Sequence, residues 1–178
     1  TAPNGEVRFK EILATFQGRL DRADVFRQKL VEVPLSLDYP YWTEDRDFDL
    51  EYHVRHISLP KPGGWEQLMA QVARLQARQL DHSRPLWITH VIEGLGNIPG
   101  IPKGAFAVFM KFHHATIDGA SGVLLLNILT ESTPDAPLPE RIDWVGEPVP
   151  SDRDLLDLNL HHQAMKPLNG MRRSRRSD

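Results

Sequence analysis

The sequence predicts a mixed α/β fold in which a mixed sheet is flanked by helices, and three observations carry that reading. Stretches with strand-type patterning, one running through Leu59 and others at 87–93 and 105–112, alternate with an amphipathic helical stretch that opens at Trp65. Glycine and proline punctuate the junctions, most densely between Gly94 and Gly104, which holds four glycines and two prolines. The chain of 178 residues, 40% hydrophobic and 25% charged, has the composition of an ordinary globular domain with enough apolar residues for a core.

Taken in order, Phe9, Ile12, Leu13, Phe16 and Leu20 follow helical spacing and predict an amphipathic helix. Residues 25–35 read as a strand that Pro34 helps to end, and Tyr39-Pro40-Tyr41-Trp42 as an aromatic loop covering a core edge. Phe48 to Arg55 leads into a half-buried strand through Leu59, with His53 and His56 on opposite faces and both structural or exposed. Pro60, Pro62, Gly63 and Gly64 form a turn. The helix that follows keeps Trp65, Leu68, Met69, Val72, Leu75 and Leu80 on one face, a stripe that reads as core packing.

Pro85 lacks an N–H, so Leu86 and Trp87 are expected to enter the sheet at an edge or at the first pairing position of a strand running to about Glu93. The connection from Gly94 to Gly104 is most economically the loop of a wide hairpin, returning the chain to a buried strand from Ala105 to Phe112. Val123 to Leu129, apolar nearly all round, predicts a buried helix starting near Gly122. Beyond Thr130 the prolines at 134, 137, 139, 148 and 150 mark a surface crossover, and Leu155, Leu156, Leu158 and Leu160 a short helix with His161 and His162 solvated. Residues 1–145 are therefore assigned to one domain and 146–178 to a linker or crossover.

The chemistry concentrates where the strand 105–112 stops, at Lys111-Phe112-His113-His114-Ala115-Thr116-Ile117-Asp118-Gly119-Ala120-Ser121-Gly122. If the extended geometry persists, side-chain alternation places His114 with Phe112, Met110 and Val108, and His113 on the other face with Lys111 and Phe109. Diverging rings argue against a metal held by both, since each ligand must approach one ion to about 2.0–2.1 Å. Two readings remain open at this level. One is a single working imidazole, suited to a general base by its near-neutral pKa, with its neighbour in another role and Asp118 orienting nearby groups. The other is a strand end with two partly exposed histidines and a turn.

Composition removes several classes. No cysteine is present, which excludes disulfides, thiol nucleophiles and cysteine-ligated zinc. No apolar run reaches the roughly 18 residues that cross a bilayer, and no signal-peptide pattern opens the sequence, so a cytoplasmic location is the default expectation. The formal net charge is −3, while Arg172, Arg173, Arg175 and Arg176 gather in a basic tail rather than over a face, which does not resemble a nucleic-acid-binding surface.

His113-His114-x-x-x-Asp118-Gly119 resembles the HHxxxDG signature of acyltransferases related to chloramphenicol acetyltransferase, a superfamily that includes peptide-synthetase condensation domains. With the other segments added, residues from about 9 to 145 resemble the N-terminal half of the bacterial wax ester synthase/acyl-CoA:diacylglycerol acyltransferases. Those segments are Phe48-Asp49-Leu50 with His53-Val54-Arg55, Leu59-Pro60 with Pro62-Gly63, Leu80-Asp81 with Arg84-Pro85-Leu86-Trp87, Ile92-Glu93-Gly94-Leu95, and Ser121-Gly122 after the signature.

The resemblance implies one half of a two-domain, chloramphenicol acetyltransferase-like enzyme with its active site in a tunnel between the halves. It implies an opening strand ahead of residue 9 and a second half, neither contained in this sequence. His114 would be the general base, with His113 beside it, Asp118 and Gly119 would support the motif loop, and Pro85, Leu86 and Trp87 would form a substrate-binding or motif segment. The implied reaction moves a long-chain acyl group from acyl-CoA to diacylglycerol or a fatty alcohol, with no acyl-enzyme, metal or cofactor. Peripheral contact with a membrane or lipid droplet follows from that substrate class. A condensation-type enzyme using carrier-protein thioesters, or a silent lipid-binding domain, is the alternative.

Overall fold

The computed structural model describes residues 7–117, 125, 127–130, 146 and 148–161. Helix α1 spans Phe9–Gln17 and two 3₁₀ turns, Leu20–Arg22 and Asp24–Phe26, follow it. Strands β1 (Gln28–Val31) and β2 (Tyr41–Glu44) pair as an antiparallel ribbon. A single helical turn, α2 (Leu50–His53), runs into β3 (Val54–Ser58), and helix α3 (Trp65–Ala77) crosses to β4 (Trp87–Glu93). The chain then returns as β5 (Ala107–Phe112).

The site-bearing sheet has the order β3-β4-β5. β3 and β4 are parallel, joined through α3 as a β-α-β unit. β4 and β5 are antiparallel, with Trp87 opposite Phe112 and Ile92 opposite Ala107. The wide hairpin and the bounds of β4 agree with the sequence reading, and Trp87 occupies a first pairing position. The mixed sheet, with helices packed on it, is the α/β architecture expected.

Alternation along β4 sends side chains to two cores. On one face Trp87 and Val91 join Phe16, Leu20, Phe26 and Val54, together with Leu125 and Leu129. On the other face Ile92 packs with Leu59, Leu68, Leu75, Leu95 and Ile98, largely beneath α3. Each fully buried aliphatic or aromatic side chain contributes about 1.5–3 kcal/mol by leaving water. The Arg19 guanidinium reaches across to the Ile128 carbonyl at 3.3 Å, tying the region after α1 to the helical residues 127–129.

Several expectations need correction. The strand expected over 25–35 is only Gln28–Val31, because 3₁₀ turns take Asp24–Phe26 and Pro34–Ser36. The aromatic loop is in part strand β2, and it does not cover a core edge: Tyr39 is 80% and Trp42 40% exposed. On α3 only Leu68 and Leu75 are buried, Val72 packs partly against them, and Trp65 and Met69 stand in solvent. β5 is half-buried rather than buried, being an edge strand among the described residues, with Val108 50% exposed. The short helix near the leucine-bearing segment spans 152–161, where Leu155 is buried and Leu158 and Leu160 are exposed.

Gly63 illustrates how the turn before α3 depends on sequence. Its φ is +74° and a Cβ there would collide with the Gly94 carbonyl, so only glycine lets these two loops meet. The Asn97 N–H donates to the Gly63 carbonyl at 3.2 Å across the same junction.

Candidate active site

β5 delivers the histidine pair to the end of the sheet. Its ladder stops after Phe112, and the His113 N–H donates to the Leu86 carbonyl at 2.9 Å, fastening the motif to the residue before β4. Extended geometry lasts one residue more, since His113 has φ −73° and ψ 140°, and His114–Thr116 then form a 3₁₀ turn. His114 therefore leaves the strand alternation, and the condition that would have aligned it with Phe112, Met110 and Val108 is not met.

The two rings are in different situations. His113 Nδ1 accepts the Ala115 N–H at 3.2 Å, capping the turn, and its carbonyl accepts the Thr116 hydroxyl at 2.6 Å. A ring that accepts at Nδ1 carries its proton, when neutral, on Nε2. The His82 ring meets it edge to face with centroids 5.5 Å apart. His114 is exposed, and its imidazole has no hydrogen-bond partner among the described residues. One imidazole is thus engaged in holding the turn, and the other is exposed without a hydrogen bond to any described residue. Asp118 and Gly119 lie outside the described residues.

Pro85, Leu86 and Trp87 lie behind the motif. All three are buried; the Trp87 indole donates Nε1–H to the Phe26 carbonyl at 2.9 Å. Around it Phe16 and Phe112 lie stacked and Phe26 stands edge-on. His53 stacks on it with centroids 4.6 Å apart, and its Nδ1 donates to the Trp87 carbonyl at 2.7 Å. Burial, the largest cause, pushes the His53 imidazole down to about 4, and Arg84 adds to the fall. His53 is therefore a neutral core residue. His56 sits outside, ion-pairing with Glu93 at 3.2 Å when protonated and stacking on Phe9.

No group of three or more His, Cys, Asp or Glu side chains that could hold a metal occurs among the described residues. No described helix is long and apolar enough to cross a membrane. His82 was not singled out in the sequence; its signal was the polar segment Asp81-His82-Ser83-Arg84, which must pass the motif because Leu86 is bonded to His113.

Residues 1–177 match the family described as the wax ester synthase/diacylglycerol acyltransferase catalytic domain. The chain belongs to that family. A probable diacylglycerol O-acyltransferase, tgs3, of Mycobacterium tuberculosis H37Rv is 41% identical over 155 residues, covering 86% of this chain and 55% of the relative. A putative diacylglycerol O-acyltransferase of the same strain, Rv1760, is 36% identical over 146 residues, covering 82% of this chain and 28% of its own length. The solved wax ester synthase/diacylglycerol acyltransferase from Marinobacter aquaeolei VT8 superposes with a TM-score of 0.58 at 27% identity, over 96% of this chain and 39% of that one. The fold is accordingly of the chloramphenicol acetyltransferase-like class. The chain spans about half the length of the first relative and less of the other two.

Proposed function

We propose that the complete protein transfers a long-chain acyl group from acyl-CoA to the hydroxyl of diacylglycerol or a long-chain alcohol, with His114 as general base. The observation that carries this reading is the unequal use of the pair, His113 engaged with the backbone and His114 exposed with no hydrogen bond among the described residues. Membership of the family supports the reaction class.

Neutral His114 takes the acceptor's hydroxyl proton as the oxygen attacks the thioester carbonyl. The resulting tetrahedral oxyanion collapses with departure of CoA thiolate, and the proton on His114 is available to it. No covalent acyl-enzyme and no resident cofactor takes part. Asp118 and Gly119 hold the loop that follows His114, and polypeptide outside residues 1–178 supplies the opposing wall of the substrate tunnel. A peripheral encounter with a lipid surface delivers the apolar acceptor.

The test is acyl transfer by the complete protein from a labelled long-chain acyl-CoA, with diacylglycerol and fatty alcohols as acceptors and lipid chromatography as readout. Triacylglycerol or wax ester formation that is lost in His114→Ala supports the proposal. Undiminished transfer by that variant, or transfer only from carrier-protein thioesters, refutes it.

A further inference from the structure

A cleft of about 440 Å³ opens on the α3 face of the sheet, within the size range of small-ligand pockets. β3, β4 and β5 form its floor and the end of α3 with the following loop its wall. Arg55, Arg78 and Lys111 line it together with His90, Tyr52 and Asp81. It adjoins the motif, since Lys111 precedes His113 by two residues and Pro85, also on its lining, precedes Leu86.

The charges in this cleft do not balance. Asp81 is committed to the Ser83 hydroxyl at 2.7 Å, the Ser83 N–H at 2.9 Å and the Arg84 guanidinium at 3.6 Å. Arg84 also lies over the Tyr52 ring, 4.2 Å from its centroid. Lys111 Nζ donates to the Gln76 carbonyl at 2.7 Å and to the Arg78 carbonyl, closing the end of α3. Among the described residues Arg55 donates Nε to the Tyr52 carbonyl at 2.8 Å and its guanidinium lies 5.2 Å from the Tyr52 ring centroid. Neither Arg55 nor Arg78 has a carboxylate partner among the described residues.

His90, the register partner of Arg55, lies on the floor of the cleft. It is 7% exposed, and its Nδ1 is buried with no hydrogen-bond partner among the described residues. Burial chiefly, and then Arg78 and Arg55, disfavour its protonated form, so both guanidinium groups act on the cleft floor. Both arginines are exposed, so water screens their mutual repulsion and leaves them accessible to an anion arriving from solvent. Two guanidinium forks with free N–H groups suit phosphate oxygens, which accept paired hydrogen bonds.

We propose that this cleft binds a phosphate or diphosphate group, held by Arg55 and Arg78 above His90. Resting on the acyl-CoA reading given above, that group is the diphosphate of the donor's CoA moiety rather than a phosphorylated lipid headgroup. The site lies beside the histidine motif and on the α3 side of the sheet, so it fixes the side from which the thioester approaches.

The experiment uses the complete protein and inorganic pyrophosphate as probe, measured by titration calorimetry, with acyl-CoA kinetics in parallel. Arg55→Gln/Arg78→Gln should weaken pyrophosphate binding at least about tenfold, the equivalent of about 1.4 kcal/mol. It should raise the KM for acyl-CoA by a similar factor, with the loss in KM rather than kcat and no change in acceptor KM. Arg78→Lys should recover part of the affinity. If the double variant does not fold, Arg78→Gln alone serves, because that exposed side chain makes no hydrogen bond among the described residues. No pyrophosphate binding by the unsubstituted protein, or equal binding by the variants, overturns the site. Weakened pyrophosphate binding with an unchanged acyl-CoA KM overturns the assignment to the donor. If the complete protein transfers no acyl group at all, the reaction is wrong, and the pyrophosphate arm still decides the site.

Discussion

Replacing His53 by Asn should remove a large part of this fold's sensitivity to mild acid. His53 is fully buried between Phe48 and Trp87, its Nδ1–H bonded to the Trp87 carbonyl and its Nε2 without a partner among the described residues. A second proton would have to go onto Nε2 in that setting. Burial therefore lowers the imidazole from 6.5 to about 4; Arg84 reinforces the fall, while the Trp87 carbonyl, Asp45 and Asp49 oppose it. The unfolded chain binds the proton first, so stability is fully present above about pH 6.5 and declines as the pH falls toward 4. At about 1.4 kcal/mol per unit, the whole window corresponds to about 3 kcal/mol. Asn keeps an N–H for the Trp87 carbonyl but cannot titrate. The variant should lose about 1–3 kcal/mol at pH 7 through lost ring packing and should fall less steeply between pH 6.5 and 4.5. Urea unfolding of the complete protein and the variant at half-unit pH steps measures both slopes. Parallel stability curves for the two proteins would refute the argument.

Three further outcomes are expected. In the complete protein, on the proposed function, His114→Ala should lower kcat by about 10²–10⁴-fold with folding retained, and His113→Ala should cost less, because that ring caps a turn; steady-state kinetics with circular dichroism would expose equal losses. Trp87→Phe leaves the Phe26 carbonyl without its indole donor and a void beside it, a loss of about 2–4 kcal/mol readable by urea unfolding. Gly63→Ala should destabilise by more than about 2 kcal/mol, since it combines a φ of +74° with the Gly94 carbonyl in its way; a melting temperature equal to the parent's would contradict the close approach.

What the sequence revealed and what it concealed separate along physical lines. β4, the wide hairpin and the start of α3 were legible because periodicity, proline and glycine all agreed there, and local preference coincided with burial. The aromatic segment misled because Tyr39 and Trp42 are large and apolar yet exposed, and hydrophobicity alone cannot tell cover from surface. His53 and His56 look alike in sequence, but the helical turn α2 buries the first and the pleat of β3 exposes the second. The His113 and His114 positions were visible as a motif. Their different uses were not, because these depend on the chain leaving the strand one residue after Phe112. The basic cleft was hidden for a related reason. Arg55, Arg78 and His90 come from β3, the end of α3 and β4, and only the parallel pairing of β3 with β4 through α3 brings them together.

The Pro85-Leu86-Trp87 segment then has a positional explanation that does not require it to touch substrate. Pro85 and Leu86 are buried at the entry to β4, and the Leu86 carbonyl holds the His113 N–H at 2.9 Å. One residue later Trp87 is opposite Phe112 in the ladder, while its indole is fastened to the Phe26 carbonyl. A displacement of Trp87 therefore moves both the last pair of the β4–β5 ladder and the bond that fixes the first motif histidine. If His114 is the base, as proposed, little such movement is tolerable, since an error of about 1 Å at a reacting centre can cost 10²-fold in rate. The apolar core and the histidine pair are in this way two ends of one short lever, and substitutions at Trp87 should reach the chemistry through the backbone of Leu86 and Phe112.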